Sequence, residues 1–142
     1  PFTSIGEFAP VAPLGAAGAF VAALSTHALL HGTPASIATR LREIAHALEP
    51  DGRLYATFGS TRDTRFGAGE RIDETTYAPL EGDEIGVAHV FFDEARLRAT
   101  LEPAFAIERL SEVPVDGIAG KWAHRAKPLS GAVHWFVEAV RR

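Results

Sequence analysis

The sequence contains no cysteine and no methionine. Without cysteine there is no disulfide, no thiolate nucleophile and no sulfur-ligated metal centre. That absence permits a reducing compartment, and a cytoplasmic location is expected. Without methionine there is no initiator: the chain opens at Pro1. It is expected to be either a piece of a longer protein or the product of processing. There is also no excess of positive charge. The formal net charge is -4 and the basic residues are scattered, so no nucleic-acid partner is expected. Arg141-Arg142 follows a hydrophobic strand pattern and reads as a solvated end.

No uninterrupted membrane span is present. The apolar run from Pro10 to Leu30 is broken by Pro13, Gly15 and Gly18, and His27 and His31 polarise its end. No basic segment precedes it, so a secretory signal is not expected either. A phosphate-cradling glycine turn is missing as well. Gly15-Ala16-Ala17-Gly18 has no strand before it and no helix after it.

What is present is a globular composition. With 46% hydrophobic and 23% charged residues in 142, the chain can bury a core and is not a disordered segment. No repeat or low-complexity linker divides it, so residues 1–142 are treated as a single unit.

Residues 19–25, AFVAALS, read as a strand buried on both faces. His27 to Gly32 make a loop or short turn. Thr33-Pro34 is a helix start: threonine caps free amides, and proline has no amide to leave unpaired. Ile37, Leu41, Ile44 and Leu48 follow at helical spacing, and Pro50-Asp51-Gly52 turns the chain into a strand over 53–59. Strand, helix, strand with a short turn is a right-handed parallel crossover. Ser60 to Val90 show no clean period and read as one long loop. Asp93 caps a second helix with Leu97 and Leu101 inward and Pro103 at its end. Strands are expected over 105–115 and 131–140; in the last, Val133, Trp135 and Val137 share a face. That makes four strands, with a loop from Asp116 to Ser130 carrying Trp122, His124 and Lys127. Trp122 and Trp135 read as core or hairpin packing.

This order resembles the carboxyl-terminal part of the Rossmann-like, S-adenosylmethionine-dependent methyltransferases. Three stretches carry the resemblance: FVAALSTHALLHGTP from Phe20 to Pro34, LREIAHALEPDGRLYATFGS from Leu41 to Ser60, and GDEIGVAHVFFDEARLRATLEPAFAIERL from Gly82 to Leu110. It implies an α/β fold. Parallel strands would be joined by an antiparallel final strand lying between the strands at 53–59 and 105–115, with helices packed on the sheet. It implies S-adenosylmethionine as cofactor and a small-molecule methyl acceptor. The family's glycine-rich turn and ribose-binding acid find no counterpart here, and Phe20-Val21 stands where the family often has Phe-Asp. The alternative is a non-catalytic remnant or interaction module with the same half-fold. The strand at 19–25 would then be an exposed apolar edge through which copies can self-associate.

The resemblance also implies site residues. Glu7 and Phe8 stand where the family clasps adenine, with Glu7 one methylene longer than the usual aspartate. Ser25, Thr26 and His27 would lie beside the methionine part of the cofactor. His31 would face the acceptor or buttress the loop, and a helix-start residue bonded to backbone is the plain alternative. His89 would close over the acceptor, or pack near a helix start. Arg62 is a further substrate-binding candidate. It lies in a cluster with Arg65, Arg71, Asp63, Glu70, Asp73 and Glu74 whose mixed signs favour a solvated, self-paired loop over an anion site. His27 and His31 are four apart, but no third ligand is evident, so no metal is expected. Methyl transfer needs mainly alignment of an acceptor lone pair with the sulfonium methyl, so no catalytic residue is named.

Overall fold

A computed structural model of the chain describes residues 17–115 and 131–142. The element order is β1 (Phe20–Ser25), α1 (Pro34–Ala47), β2 (Leu48–Ser60), β3 (Glu70–Arg71), β4 (Thr76–Ala78), β5 (His89–Phe92), α2 (Glu94–Leu101), β6 (Phe105–Pro114) and β7 (Val133–Arg141). The sheet runs β3-β4-β5-β2-β7-β6, with β1 also paired to β2.

Helix α1 begins as its sequence dictates. Thr33 accepts from the Ser36 amide, the Ser36 hydroxyl receives the Thr33 amide at 2.9 Å, and Pro34 fills the first turn. Gly32 sits at φ 127°, and a Cβ there would lie 2.3 Å from the Ser36 hydroxyl, so glycine is what lets the box close. Thr33→Ala should lower stability by about 1 kcal/mol, whereas Thr33→Ser should stay near wild type. Urea midpoints that match for all three proteins would show that the cap contributes nothing.

Strand β2 organises the molecule. One edge carries β7, antiparallel from Arg53↔Val140 to Gly59↔His134. The other carries β1, parallel from Ala22↔Arg53 to Ser25↔Ala56, and beyond it β5, parallel at Gly59↔Phe91. A Cβ on Gly59 would stand 2.8 Å from the Val90 carbonyl, so glycine is required for β5 to approach. Strand β6 closes the series against β7. The antiparallel final strand between the second and third long strands is thus as expected.

The core lies between one face of this sheet and the two helices. Ile37, Leu41, Leu48, Leu54, Phe58, Leu97, Leu101, Phe105, Trp135 and Val137 belong to it. The Trp135 indole N–H donates to the Phe92 carbonyl at 2.8 Å, which satisfies a buried donor and ties β7 to the junction of β5 and α2. Among the described residues no helix is long and apolar enough to cross a membrane.

Three expectations need correction. Strand β1 is not buried on both faces: Phe20, Val21 and Leu24 are 41%, 69% and 78% exposed. Residues 60–90 are not one loop. They hold β3, β4 and the first half of β5, which are two to four residues long and too short for a period of two to be read. Among the described residues there are therefore seven strands rather than four. Finally, the Pro50-Asp51-Gly52 turn lies inside β2. Phe20 pairs with Leu48 but Ala22 with Arg53, so residues 49–52 bulge out, with Asp51 at φ 63°.

Candidate functional site

Parallel sheets place ligands beyond the carboxyl ends of their strands. Here β1 ends at Ser25, β2 at Ser60 and β5 at Phe92. The chain leaving β1 is held to β2 when the His27 amide donates to the Thr57 hydroxyl at 2.9 Å. His27 itself sits at φ 60°, a left-handed conformation uncommon for a side chain other than glycine, asparagine or aspartate. Ser25 is half-buried and Thr26 exposed at this end.

Two histidine pairs gather there. The His27 ring meets the edge of His134 with centroids 4.9 Å apart, and His31 meets His89 in the same way at 4.7 Å. His134 comes from β7, opposite Gly59. His31 and His89 are placed by backbone pairing: they form an antiparallel bridge, flanked by the Gly32 amide on the Ala88 carbonyl and the Val90 amide on the Leu30 carbonyl, both 2.8 Å.

The first pair rests on a buried ion pair. Asp63 is 3% exposed and receives Arg65 in a fork, at 2.8 Å from Nε and 2.7 Å from Nη2. It also accepts the Arg65 amide at 2.9 Å and the Val133 amide at 3.0 Å, which fastens the start of β7 to the loop after β2. Burial alone would raise the Asp63 carboxyl; the bonds from Arg65 and Val133 outweigh it and hold the group below its ordinary value. The Arg65 guanidinium also lies 3.1 Å from His134 Nε2. A guanidinium only donates, so Nε2 accepts and the proton of His134 is on Nδ1, a buried atom without a hydrogen-bond partner among the described residues. Burial, then the neighbouring His27 and Arg65, push His134 down to about 4, so its ring is neutral at neutral pH. Burial, then Arg65 and His31, lower His27 as well.

The second pair faces Glu84, on the turn between β4 and β5. Glu84 carboxylate oxygens lie 3.5 Å from His31 Nε2 and 3.3 Å from His89 Nε2. His89 opens β5, four residues before the Asp93 cap of α2, and is 3% exposed.

The expected site residues thus separate. His27, His31 and His89 converge at the strand ends. Arg62 does not join them: its exposed guanidinium pairs with Glu112 of β6 at 2.9 Å. Glu7 and Phe8 lie outside the described residues, as do Trp122, His124 and Lys127. The loop around Asp63 is self-paired, as its mixed charges suggest, but Asp63 is enclosed rather than solvated. Sequence reasoning passes over Thr57, Glu84 and His134, and reads Asp63 and Arg65 only as members of a self-paired loop. Of the three, His134 carries a signal, as a polar residue between Val133 and Trp135. A shallow groove of about 430 Å³ along Pro34, Thr75, Phe92 and Arg96 shares no residue with this cluster.

No protein-family model matches the chain. No curated protein matches it either. Solved structures do. A 1,6-didemethyltoxoflavin-N1-methyltransferase of Burkholderia thailandensis, with bound 1,6-didemethyltoxoflavin and S-adenosylhomocysteine, superimposes with TM-score 0.61 at 19% identity, covering 91% of this chain and 47% of its own. A SAM-dependent methyltransferase of Methanosarcina mazei gives TM-score 0.65 at 16% identity, over 88% of this chain and 60% of its own. A 16S rRNA adenine methyltransferase variant from Catenulisporales acidiphilia, with SAM, gives 0.52 at 17% identity, over 91% and 56%. The chain therefore spans about half the length of these enzymes. With β7 antiparallel between β2 and β6 and helices on the sheet, the chain has the Rossmann-like fold of the S-adenosylmethionine-dependent methyltransferases.

Proposed function

We propose that the protein takes part in methyl transfer from S-adenosylmethionine to a small-molecule acceptor. The observation that carries the reading is the convergence of His27, His31 and His89 where β1 ends and β5 begins, in a sheet of this topology. The buried Nδ1 of His134 beside His27 adds a donor that no described residue satisfies, which suits a ligand edge.

The cofactor supplies a methyl group on a positively charged sulfur. In this reading Glu7 and Phe8 clasp the adenine ring, and Ser25, Thr26 and His27 border the amino-acid end. His31 and His89 border the acceptor. The strained His27 backbone, fixed by Thr57, sets the position of the loop. Proximity and orientation provide most of the rate, and a neutral imidazole can take a proton where the acceptor must lose one. Arg62, engaged by Glu112, has no part in this reading. The net charge of -4 favours a small acceptor over a polyanion.

Calorimetry on the full-length protein tests the proposal. S-adenosylmethionine should bind in the micromolar range, about -8 kcal/mol. Glu7→Ala should weaken that binding, and His31→Ala should lower turnover more than cofactor affinity. A folded protein with no measurable cofactor binding would favour the alternative of a non-catalytic module with the same half-fold.

A further inference from the structure

His31, Glu84 and His89 form a cluster whose geometry asks for a cation. Their ligand atoms all lie within 4.8 Å of one another, and both histidines are buried. The His89 Nδ1 lies 2.7 Å from the Val87 carbonyl. A carbonyl only accepts, so Nδ1 carries the proton and Nε2 presents a lone pair to the Glu84 carboxylate at 3.3 Å. A lone pair facing an anion is repulsive unless something positive lies between them. Among the described residues His31, 9% exposed, has no hydrogen-bond partner on either ring nitrogen, although burial of a polar atom normally demands one.

A proton would be one solution, but the distances do not suit it. Charge-assisted N–H···O bonds close to roughly 2.7–2.9 Å, and here the gaps are 3.3 and 3.5 Å. Ligands held about 2.0–2.2 Å from a tetrahedral metal stand roughly 3.3–3.6 Å apart. The two imidazole–carboxylate separations match edges of such a tetrahedron. The Val87 carbonyl on His89 Nδ1 is the outer partner that orients a ligating imidazole.

We propose that His31, Glu84 and His89 bind a divalent transition-metal ion of the zinc type, through two imidazole nitrogens and one carboxylate. Imidazole with carboxylate selects such ions over magnesium or calcium, which favour oxygen-only sites. Three protein ligands leave a fourth position for water or a donor atom of a ligand. The ion would fasten the turn between β4 and β5 to the loop that leaves β1, at the strand ends where the proposed acceptor sits. The site itself does not depend on the methyltransferase reading.

Cobalt(II) is the probe. The full-length protein, purified without a polyhistidine tag and stripped by chelator, should take up one equivalent and develop visible absorption bands of tetrahedral intensity. Zinc should displace them and raise the melting temperature. His31→Ala, His89→Ala and Glu84→Gln should each weaken cobalt binding by at least about tenfold, the lower end of what losing even an outer partner costs. Should a histidine variant fail to fold, Glu84→Gln still decides, because Glu84 lies partly exposed on a turn between Gly82 and Gly86. His46→Ala, exposed on α1, should bind as wild type. A folded wild-type protein without cobalt bands, or a Glu84→Gln variant that binds as well as wild type, overturns the site. A protein that binds S-adenosylmethionine but not cobalt overturns the metal site alone.

Discussion

Asp63→Asn should destabilise the protein by about 3–5 kcal/mol at neutral pH, the range for breaking one partner of a buried ion pair. The carboxylate accepts the Arg65 fork, the Arg65 amide and the Val133 amide, and its side chain is fully enclosed. Asparagine can keep an acceptor for Val133. It must then turn an amide N–H₂ toward the guanidinium, leaving Arg65 uncompensated in a partly buried position. The contrasting case is Arg62→Ala. That guanidinium meets Glu112 with its own side chain 76% exposed, so its removal should change stability by less than about 1 kcal/mol. Urea unfolding of the two variants beside wild type makes the comparison. If Asp63→Asn falls within about 1 kcal/mol of wild type, the Asp63 network does not anchor β7 as described.

Stability should fall as the pH drops from about 6.5 toward 4, well before most carboxylates titrate. His134 is held at about 4 in the folded protein against an ordinary value of 6.5. In that window the unfolded chain binds a proton that the folded one refuses, so the folded state loses ground as acid is added. The full difference is present above pH 6.5. The gap corresponds to ~3 kcal/mol at about 1.4 kcal/mol per tenfold change in proton affinity. His27, lowered by burial and by Arg65, acts in the same direction. Asp63 adds a second loss at lower pH. Its folded value lies below the ordinary 3.8, so its contribution is present above that value and disappears as the pH falls through the folded one. Urea midpoints between pH 7.5 and 4.5 should show the first decline, and His134→Gln should flatten it. A profile flat from 7 to 5 in the wild-type protein would mean that His134 accepts a proton in the folded state.

How far the sequence could be read follows from the range over which each signal acts. The capped helix starts at Thr33 and Asp93 were legible, because a cap and its amides lie within three residues. So were α1 and the long strands β2, β6 and β7, whose apolar periods extend over enough residues to be counted. Their order alone pointed to the fold. Of the site, His27, His31 and His89 could be singled out only because the resemblance placed them near the strand ends.

The rest depended on neighbours that are remote in sequence. Strands β3, β4 and β5 have too few residues to show a period, and pairing with β2 is what makes β5 a strand. Glu84 reaches two histidines because residues 30–32 bridge to 88–90 across the end of the sheet. Asp63 meets Val133 across seventy residues of chain. Caps, turns and periods are local in energy and therefore written locally. A buried polar cluster is assembled by strand register, and register is fixed only when the whole sheet closes.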